Sequence, residues 1–261
     1  MNCKNCQTEL VGEKKFCTNC GGKVINHRFN FKMVFEEFFS TFISWDNTFF
    51  KTLIHSYTKP QEVVNGYLDG VRKRYMQPFA YMVIALTLYG IYMVLAKDVI
   101  LEYVTASNLE IKKMFENFGL KIDEKFIEDS LKTNKFLLKY SNYLTFISIP
   151  IIAIANFIIF KKRNFIEHNI ALLYSYASYI FGFLTIVFIG FMIGISFSTT
   201  YTISSIFLIV YHIYFYKKMF NLSISETLLK TLLFWLLFTA IIVFTFFLVF
   251  LIGVLVGKFF R

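Results

Sequence analysis

Four thiols stand within the first twenty residues: Cys3, Cys6, Cys17 and Cys20, spaced as CxxC, ten intervening residues, then CxxC. A tight turn within each CxxC brings two sulfurs to one ion, and two such turns complete the tetrahedral four-sulfur shell that zinc takes. Gly21 and Gly22 follow the second pair, where backbone freedom lets amide hydrogens turn toward sulfur. The same residues could instead form two disulfides or a redox CxxC, and iron suits the same shell. Disulfides require an oxidising compartment, whereas the basic residues discussed below put this segment in the cytoplasm, which favours a metal. A closed four-thiolate shell keeps no open coordination position, so the expected ion is structural Zn2+ and the site is not catalytic. So small a head has almost no apolar core, and metal binding should supply most of its folding free energy.

Little else in the chain could do chemistry. There is no GxSxG, HExxH or P-loop, and no usefully placed pair of carboxylates, so no enzyme is expected. His27, His55, His168 and His212 are scattered, and each reads as a surface or interface residue rather than a ligand. The net charge of +10 does not point to nucleic acid. It falls on the segment before the first apolar run and on short loops, and in the head Lys4, Lys14, Lys15 and Lys23 are offset by Glu9 and Glu13.

Composition dictates the surroundings. Hydrophobic residues make up 56% and charged residues 17%, against roughly 45–50% and about 25% in soluble proteins. The surplus apolar side chains need lipid. Crossing about 30 Å of hydrocarbon takes about 20 apolar residues of helix. Five segments reach that length: residues 76–96, 140–160, 170–193, 198–216 and 231–257, none with Asp, Glu, Lys or Arg. The third and fourth come from one run, broken by Gly194, Ser196, Ser198, Thr199 and Thr200. Arg72, Lys73 and Arg74 precede the first span; Lys161, Lys162 and Arg163 lie between the second and third; Lys217, Lys218 and Lys230 lie between the fourth and fifth. These three regions alternate onto one side, which the positive-inside rule makes cytoplasmic. The loop 97–139 carries eight lysines balanced by eight acidic residues, and Lys258 and Arg261 at the far end are a minor dissent.

The fold expected is therefore an all-α integral membrane helical bundle of five transmembrane helices, N-inside and C-outside, with a small N-terminal zinc ribbon. Its domains are the ribbon at 1–23, cytoplasmic amphipathic juxtamembrane helices at 24–75, and a five-pass domain at 76–261 with an outer helical loop at 97–139. In the juxtamembrane part, after a linker at 24–30, one apolar stripe runs through Phe31, Val34, Phe35, Phe38 and Phe42, and another through Phe49, Phe50, Leu53, Ile54 and Tyr57. Glu36, Glu37 and Asp46 argue against a lipid-seeking polar face, so these helices should pack on the cytoplasmic ends of the spans. Thr58 to Gln61 has capping-box spacing with Pro60 in the first turn, and Gly66 and Gly70 leave room for another backbone. Ser107 to Glu110 repeats the capping spacing and, with Leu109, Met114 and Phe126, suggests two short helices capping the outer face.

Within the spans, Ala171, Ser175, Ser178, Gly182 and Thr185 form a small-residue stripe, and Gly190/Gly194 and Gly253/Gly257 have GxxxG spacing. Close packing of the third and fifth spans is expected there, with homodimerisation as the rival. Pro150 should kink the second span, and Asn156 should find a partner across a helix interface. The absence of charge within the spans lowers ion-coupled transport but leaves a path for lipid or neutral solute.

The stretch TLIHSYTKPQEVVNGYLDGVRKRYMQP resembles the signature of an uncharacterised family of bacterial membrane proteins, in which a zinc ribbon precedes a polytopic domain of unknown function. The matching positions are Thr52, Pro60, Tyr67, Gly70, Arg72, Tyr75 and Pro78, and the ribbon CKNCQTELVGEKKFCTNCGG matches too. Two departures are Gln7, where Gly often follows the first pair, and Val71, where a basic residue often precedes the Arg. The five-pass plan is also similar, in topology, to Yip-type proteins of vesicle traffic. Together these imply a multi-pass protein of the bacterial inner (cytoplasmic) membrane, embedded in the lipid bilayer. Its expected role is that of an interaction or scaffold protein, with a protein partner captured through the cytoplasmic head. The alternative is a carrier or channel for lipid or neutral solute.

Overall fold

The computed structural model describes residues 2, 3, 6–9, 16–21, 48–120 and 123–259, with side chains except at 124, 126 and 245–259. The chain divides into two compact units, Met1–Asp46 and Asn47–Arg261. The first juxtamembrane stripe, Phe31 to Phe42, lies outside the described residues, as do Gly22, His27 and Arg261.

The second unit holds, among its described residues, eight α-helices and no strand. They are α1 (Thr48–Thr58), α2 (Pro60–Leu68), α3 (Pro78–Leu95), α4 (Lys97–Asn117), α5 (Glu124–Phe160), α6 (Phe165–Met192), α7 (Phe197–Phe220) and α8 (Ile224–Phe259). Four stretches are long and apolar enough to cross a membrane: α3, Ile127–Phe160 of α5, α6, and Ile224–Phe244 of α8. The chain is a multi-pass membrane protein by this measure, with four such helices rather than the five expected. The expected fourth span is the one that falls short. It forms a continuous helix, α7, but Ser198, Thr199, Thr200, Thr202, Ser204 and Ser205 make its first half polar. Several of those hydroxyls bond back one turn, as in Thr200 to Ser196 O at 3.0 Å, Thr202 to Ser198 O at 3.0 Å and Ser204 to Thr200 O at 2.9 Å. A hydroxyl satisfied by its own helix is cheap in lipid.

The polar break between α6 and α7 forms as expected: Gly194 takes φ +72° and Ser196 caps α7 by accepting the Thr199 N–H at 3.2 Å. Caps elsewhere differ. Pro60 does occupy the first turn of α2, yet Thr58 caps nothing, its hydroxyl donating instead to Ile54 O at 2.9 Å. Ser107–Glu110 lies inside α4, where Asn108 bonds Ser130 of α5 at 3.1 Å. The capping boxes that do form are Asn164 with Glu167 at α6, and Ser223 with Glu226 before α8. The loop 97–139 is accordingly not two short capping helices. Its first half is the 21-residue α4 and its second half opens the 37-residue α5. At about 1.5 Å per residue α5 is about 55 Å long, well beyond the hydrocarbon thickness.

The three basic regions come together. Arg163 donates to Asn65 of α2 at 2.7 Å, Lys162 to the carbonyl of Phe220 at 3.1 Å, and Arg74 pairs with Glu62 at 3.1 Å. The turns after α5 and α7 and the connector before α3 therefore share one end of this unit. At the other end Tyr103 of α4 packs its ring on Phe197 and Tyr201 of α7.

Glycines and small residues on α6 admit α7 and α1. A Cβ on Gly190 would lie 2.7 Å from Thr200 Oγ1, and one on Gly182 would lie 2.6 Å from Phe207 Cζ and 3.1 Å from the Tyr57 hydroxyl. The expectation that Gly190 and Gly194 pack the third span on the fifth is thus corrected: Gly190 faces α7, and Gly194 serves the turn. Gly253 and Gly257 lie where only the backbone of α8 is described. The stripe on α1 splits as well. Phe49, Leu53 and Tyr57 pack on the core while Phe50 and Ile54 stay exposed. α1 meets α6 at Ser178, Phe181 and Gly182, near that helix's middle rather than at its end.

Candidate functional site

In the first unit, the fold of the head is written around its sulfurs. Gln7 N–H donates to Cys3 O at 2.8 Å, Cys3 N–H to Thr8 O at 2.9 Å, and Gly21 N–H to Cys17 O at 2.9 Å. Each bond closes a turn about one CxxC, and Asn2 and Glu9 pair in an isolated antiparallel bridge beside the first. The residue after each second cysteine takes left-handed backbone, Gln7 at φ 60° and Gly21 at φ 67°. That geometry favours Gly at both positions, since only Gly adopts it without a Cβ penalty.

All four cysteines are free of disulfides. Their sulfurs lie within 4.8 Å of one another, with Cys3 to Cys20 at 3.7 Å and Cys6 to Cys17 at 3.6 Å. A tetrahedron with Zn–S of about 2.3 Å has S···S edges of about 3.8 Å. The cluster fits a four-thiolate metal ion such as zinc in spacing and in donor chemistry. Cys3 and Cys17 are buried. Thr8 and Asn19 support the set: the Thr8 hydroxyl lies 3.3 Å from Cys6 Sγ, and Asn19 Nδ2 donates to Thr8 Oγ1 at 2.9 Å, tying the second turn to the first. Hydrogen bonding by the Thr8 side chain, then by its backbone and by Cys20, brings the Cys6 thiol down to about 6 against desolvation. The shift favours the thiolate, the form that binds metal. Sequence spacing singled out the four cysteines that cluster; it did not single out Thr8 and Asn19, which lack any motif.

In the second unit, the seven matched positions of the TLIHSY…QP signature each have a structural role. Thr52 is fully buried, donates to Thr48 O at 2.6 Å and accepts the Met76 N–H at 2.9 Å. Gly70, at φ +88°, ends α2 short of Arg72. Gly66 faces the ring of Tyr75 rather than another backbone: a Cβ built there would lie 3.6 Å from Tyr75 Cε2. The Tyr75 hydroxyl meets His55 Nδ1 at 2.8 Å and Glu62 at 3.4 Å. Arg72 sits 4.9 Å over the Tyr67 ring, which in turn packs edge-on against Tyr174 of α6. Pro60 and Pro78 start α2 and α3. Desolvation pushes the Glu62 carboxyl up, but Lys59, Arg74 and His55 outweigh it and hold the group below the usual carboxylate range.

Asn156 meets its expectation across a helix interface, donating to the Tyr216 hydroxyl of α7 at 2.6 Å. Beside that pair the helices α5, α6, α7 and α8 border an open-sided cavity of about 300 Å³. Ser148 and Ile152 of α5 and Ser175, Tyr176 and Tyr179 of α6 form one wall. His212, Phe234 and Trp235 stand opposite, and Pro150 does not reach it. His212 packs its ring 4.6 Å from Phe234 and 5.8 Å from Trp235. His168 lies elsewhere, fully buried between Phe157 and Phe220. The composition of single helices conceals such a cavity, because its walls come from four of them; the only local hint is His212, a polar ring within an apolar run.

Residues 46–90 match a family described as protein of unknown function (DUF3667), a match that takes in Thr52 to Pro78 and most of α3. No curated protein and no solved structure matches the chain. The chain is thus similar, over that segment, to a family of unknown function, and it carries a four-cysteine cluster and four long apolar helices.

Proposed function

We propose that this protein is a non-enzymatic, five-pass protein of the bacterial inner membrane whose N-terminal head, folded on a structural zinc ion, captures a protein partner in the cytoplasm. The observation that carries this reading is the closed shell of Cys3, Cys6, Cys17 and Cys20, whose sulfur spacings suit a bound ion and leave no coordination position for a substrate. A small head held rigid by a metal presents fixed backbone and side chains, which suits recognition. Five crossings are supported by the depth of α7. Its start meets Gly190 near the end of α6, and its end meets Lys162 before the start of α6, so it runs back along that span's full length. Its 24 residues give about 36 Å, enough for one crossing. The joined basic end supports an N-inside, C-outside arrangement.

Crosslinking pull-down from native membranes tests this, comparing the wild type with Cys3→Ser/Cys17→Ser. The variant should lose partners while inserting normally; equal recovery would overturn the scaffold reading. The cavity favours a second reading, a carrier for lipid or neutral solute. Deleting residues 1–30 would then leave flux in vesicles intact, while filling the cavity would stop it.

A further inference from the structure

The cavity between α5, α6, α7 and α8 has a composition that selects among membrane-soluble molecules. Its lining contains no Asp, Glu, Lys or Arg, so nothing there balances an ionic head group. Its walls are mostly flat rings: Tyr176, Tyr179, His212, Phe234, Trp235 and Phe238 are among them. Aromatic faces and edges pack best against another ring. Two wall residues also carry polar atoms that the protein does not satisfy. Trp235 Nε1 and His212 Nε2 are buried without a hydrogen-bond partner among the described residues. The indole nitrogen is a donor only. A buried donor without an acceptor costs about 1–3 kcal/mol, so one is rarely kept without cause. At about 300 Å³ the cavity stands at the small end of ligand sites, fitting a substituted ring with the start of a tail.

We infer that this cavity is a binding site for a quinone-class lipid: an uncharged, planar ring bearing carbonyl acceptors on an apolar chain, entering from the hydrocarbon. The ring lies among the aromatic walls, and its carbonyl is the acceptor that the Trp235 N–H lacks, met when the indole turns toward it. Ser175, from the small-residue stripe of α6, leaves the room that the ring occupies. This site uses the cavity of the second functional reading but does not depend on transport.

The chain supplies its own reporter. It has two tryptophans, Trp45 and Trp235, so Trp45→Phe leaves the wall residue as the sole source of indole emission. The full-length variant in detergent is titrated with a decyl-substituted dimethoxy-methyl-benzoquinone. Saturable quenching at one quinone per chain is expected, and both Ser175→Phe and Leu208→Phe, which fill the cavity from different helices, should abolish saturation. Decylbenzene, which has the tail and a ring but no acceptor, should compete about tenfold more weakly. Quenching that rises linearly and is indifferent to both filled variants would overturn the assignment. So would equal competition by decylbenzene. Quenching of Trp235 by dibrominated phospholipid acyl chains with no quinone saturation would also overturn it, identifying an ordinary acyl chain as the occupant. Saturable binding without flux in vesicles would leave this site standing and remove the carrier reading alone.

Discussion

Gln7 and Gly21 offer a paired experiment in which two substitutions at equivalent places should move metal affinity in opposite directions. Both residues have left-handed backbone, at φ 60° and 67°. A Cβ built on Gly21 meets nothing within 4 Å among the described residues, so the expected effect is that of backbone conformation. The left-handed region costs an ordinary L-residue roughly 1–2 kcal/mol. Replacing Gly returns about 0.4–1 kcal/mol by restricting the unfolded chain. The net for Gly21→Ala is a loss of about 1 kcal/mol, and for Gln7→Gly a gain of about the same size. Folding of the head and metal binding are one equilibrium, so each should appear as a change of about fivefold in apparent zinc affinity. Competition between the full-length protein and a chromophoric chelator, read at fixed pH in detergent, measures it. Gly21→Ala should bind more weakly and Gln7→Gly more tightly. Equal affinities, or a loss in Gln7→Gly, would refute the claim that paired left-handed turns set the sulfur geometry.

Other expectations concern the second unit. Thr52→Val strands the Met76 N–H in a buried position and should lower stability by about 1–3 kcal/mol, whereas Thr52→Ser should stay near wild type in thermal unfolding in detergent. Gly182→Ala drives a methyl into Phe207 and should cost about 1–3 kcal/mol, with Phe207→Leu in the same chain restoring much of it. The Glu62 carboxyl is held below its ordinary range when folded, so its contribution is present above that range and lost as pH falls through the depressed value. Glu62→Gln should therefore flatten part of the acid limb of the stability profile; an unchanged limb would show that its contacts with Lys59 and Arg74 are inert. Reporter fusions should place residue 1 and residue 261 on opposite faces of the membrane, and signals on the same face would remove the fifth crossing.

What could be read from the sequence was whatever a short window contains. CxxC spacing pointed to the four cysteines that cluster, because a tight turn within each motif gathers its two sulfurs. Apolar runs marked the long helices, and the Gly194–Ser198 turn was legible from its own residues. The polarity of α7 was visible too, yet its consequence depends on Thr200 and Ser204 bonding to their own helix, which composition does not reveal. Capping spacing misled at Thr58 and Ser107 because the hydroxyl has an alternative one turn back and an amide can find another helix. Close packing at Gly190 was legible, but not its partner, because small residues declare that something approaches and not what. The cavity and the Thr8–Asn19 support were not legible, since both join residues with no periodic relation.

The contacts that fix α1 also impose an order in time. Tyr57 bonds the carbonyl of Ser178, and Tyr211 bonds that of Ser56, across 121 and 155 residues of chain. At about 5–20 residues per second, a ribosome adds Tyr211 roughly 8–30 s after it adds Ser56. Until then the docking face of α1 is incomplete, since Tyr57 still lacks Phe207 and Tyr211, and α1 depends on lipid, the insertion machinery or a chaperone for part of its cover. A nascent chain arrested before residue 211 should accordingly be cut by protease near α1, and one released beyond it should resist.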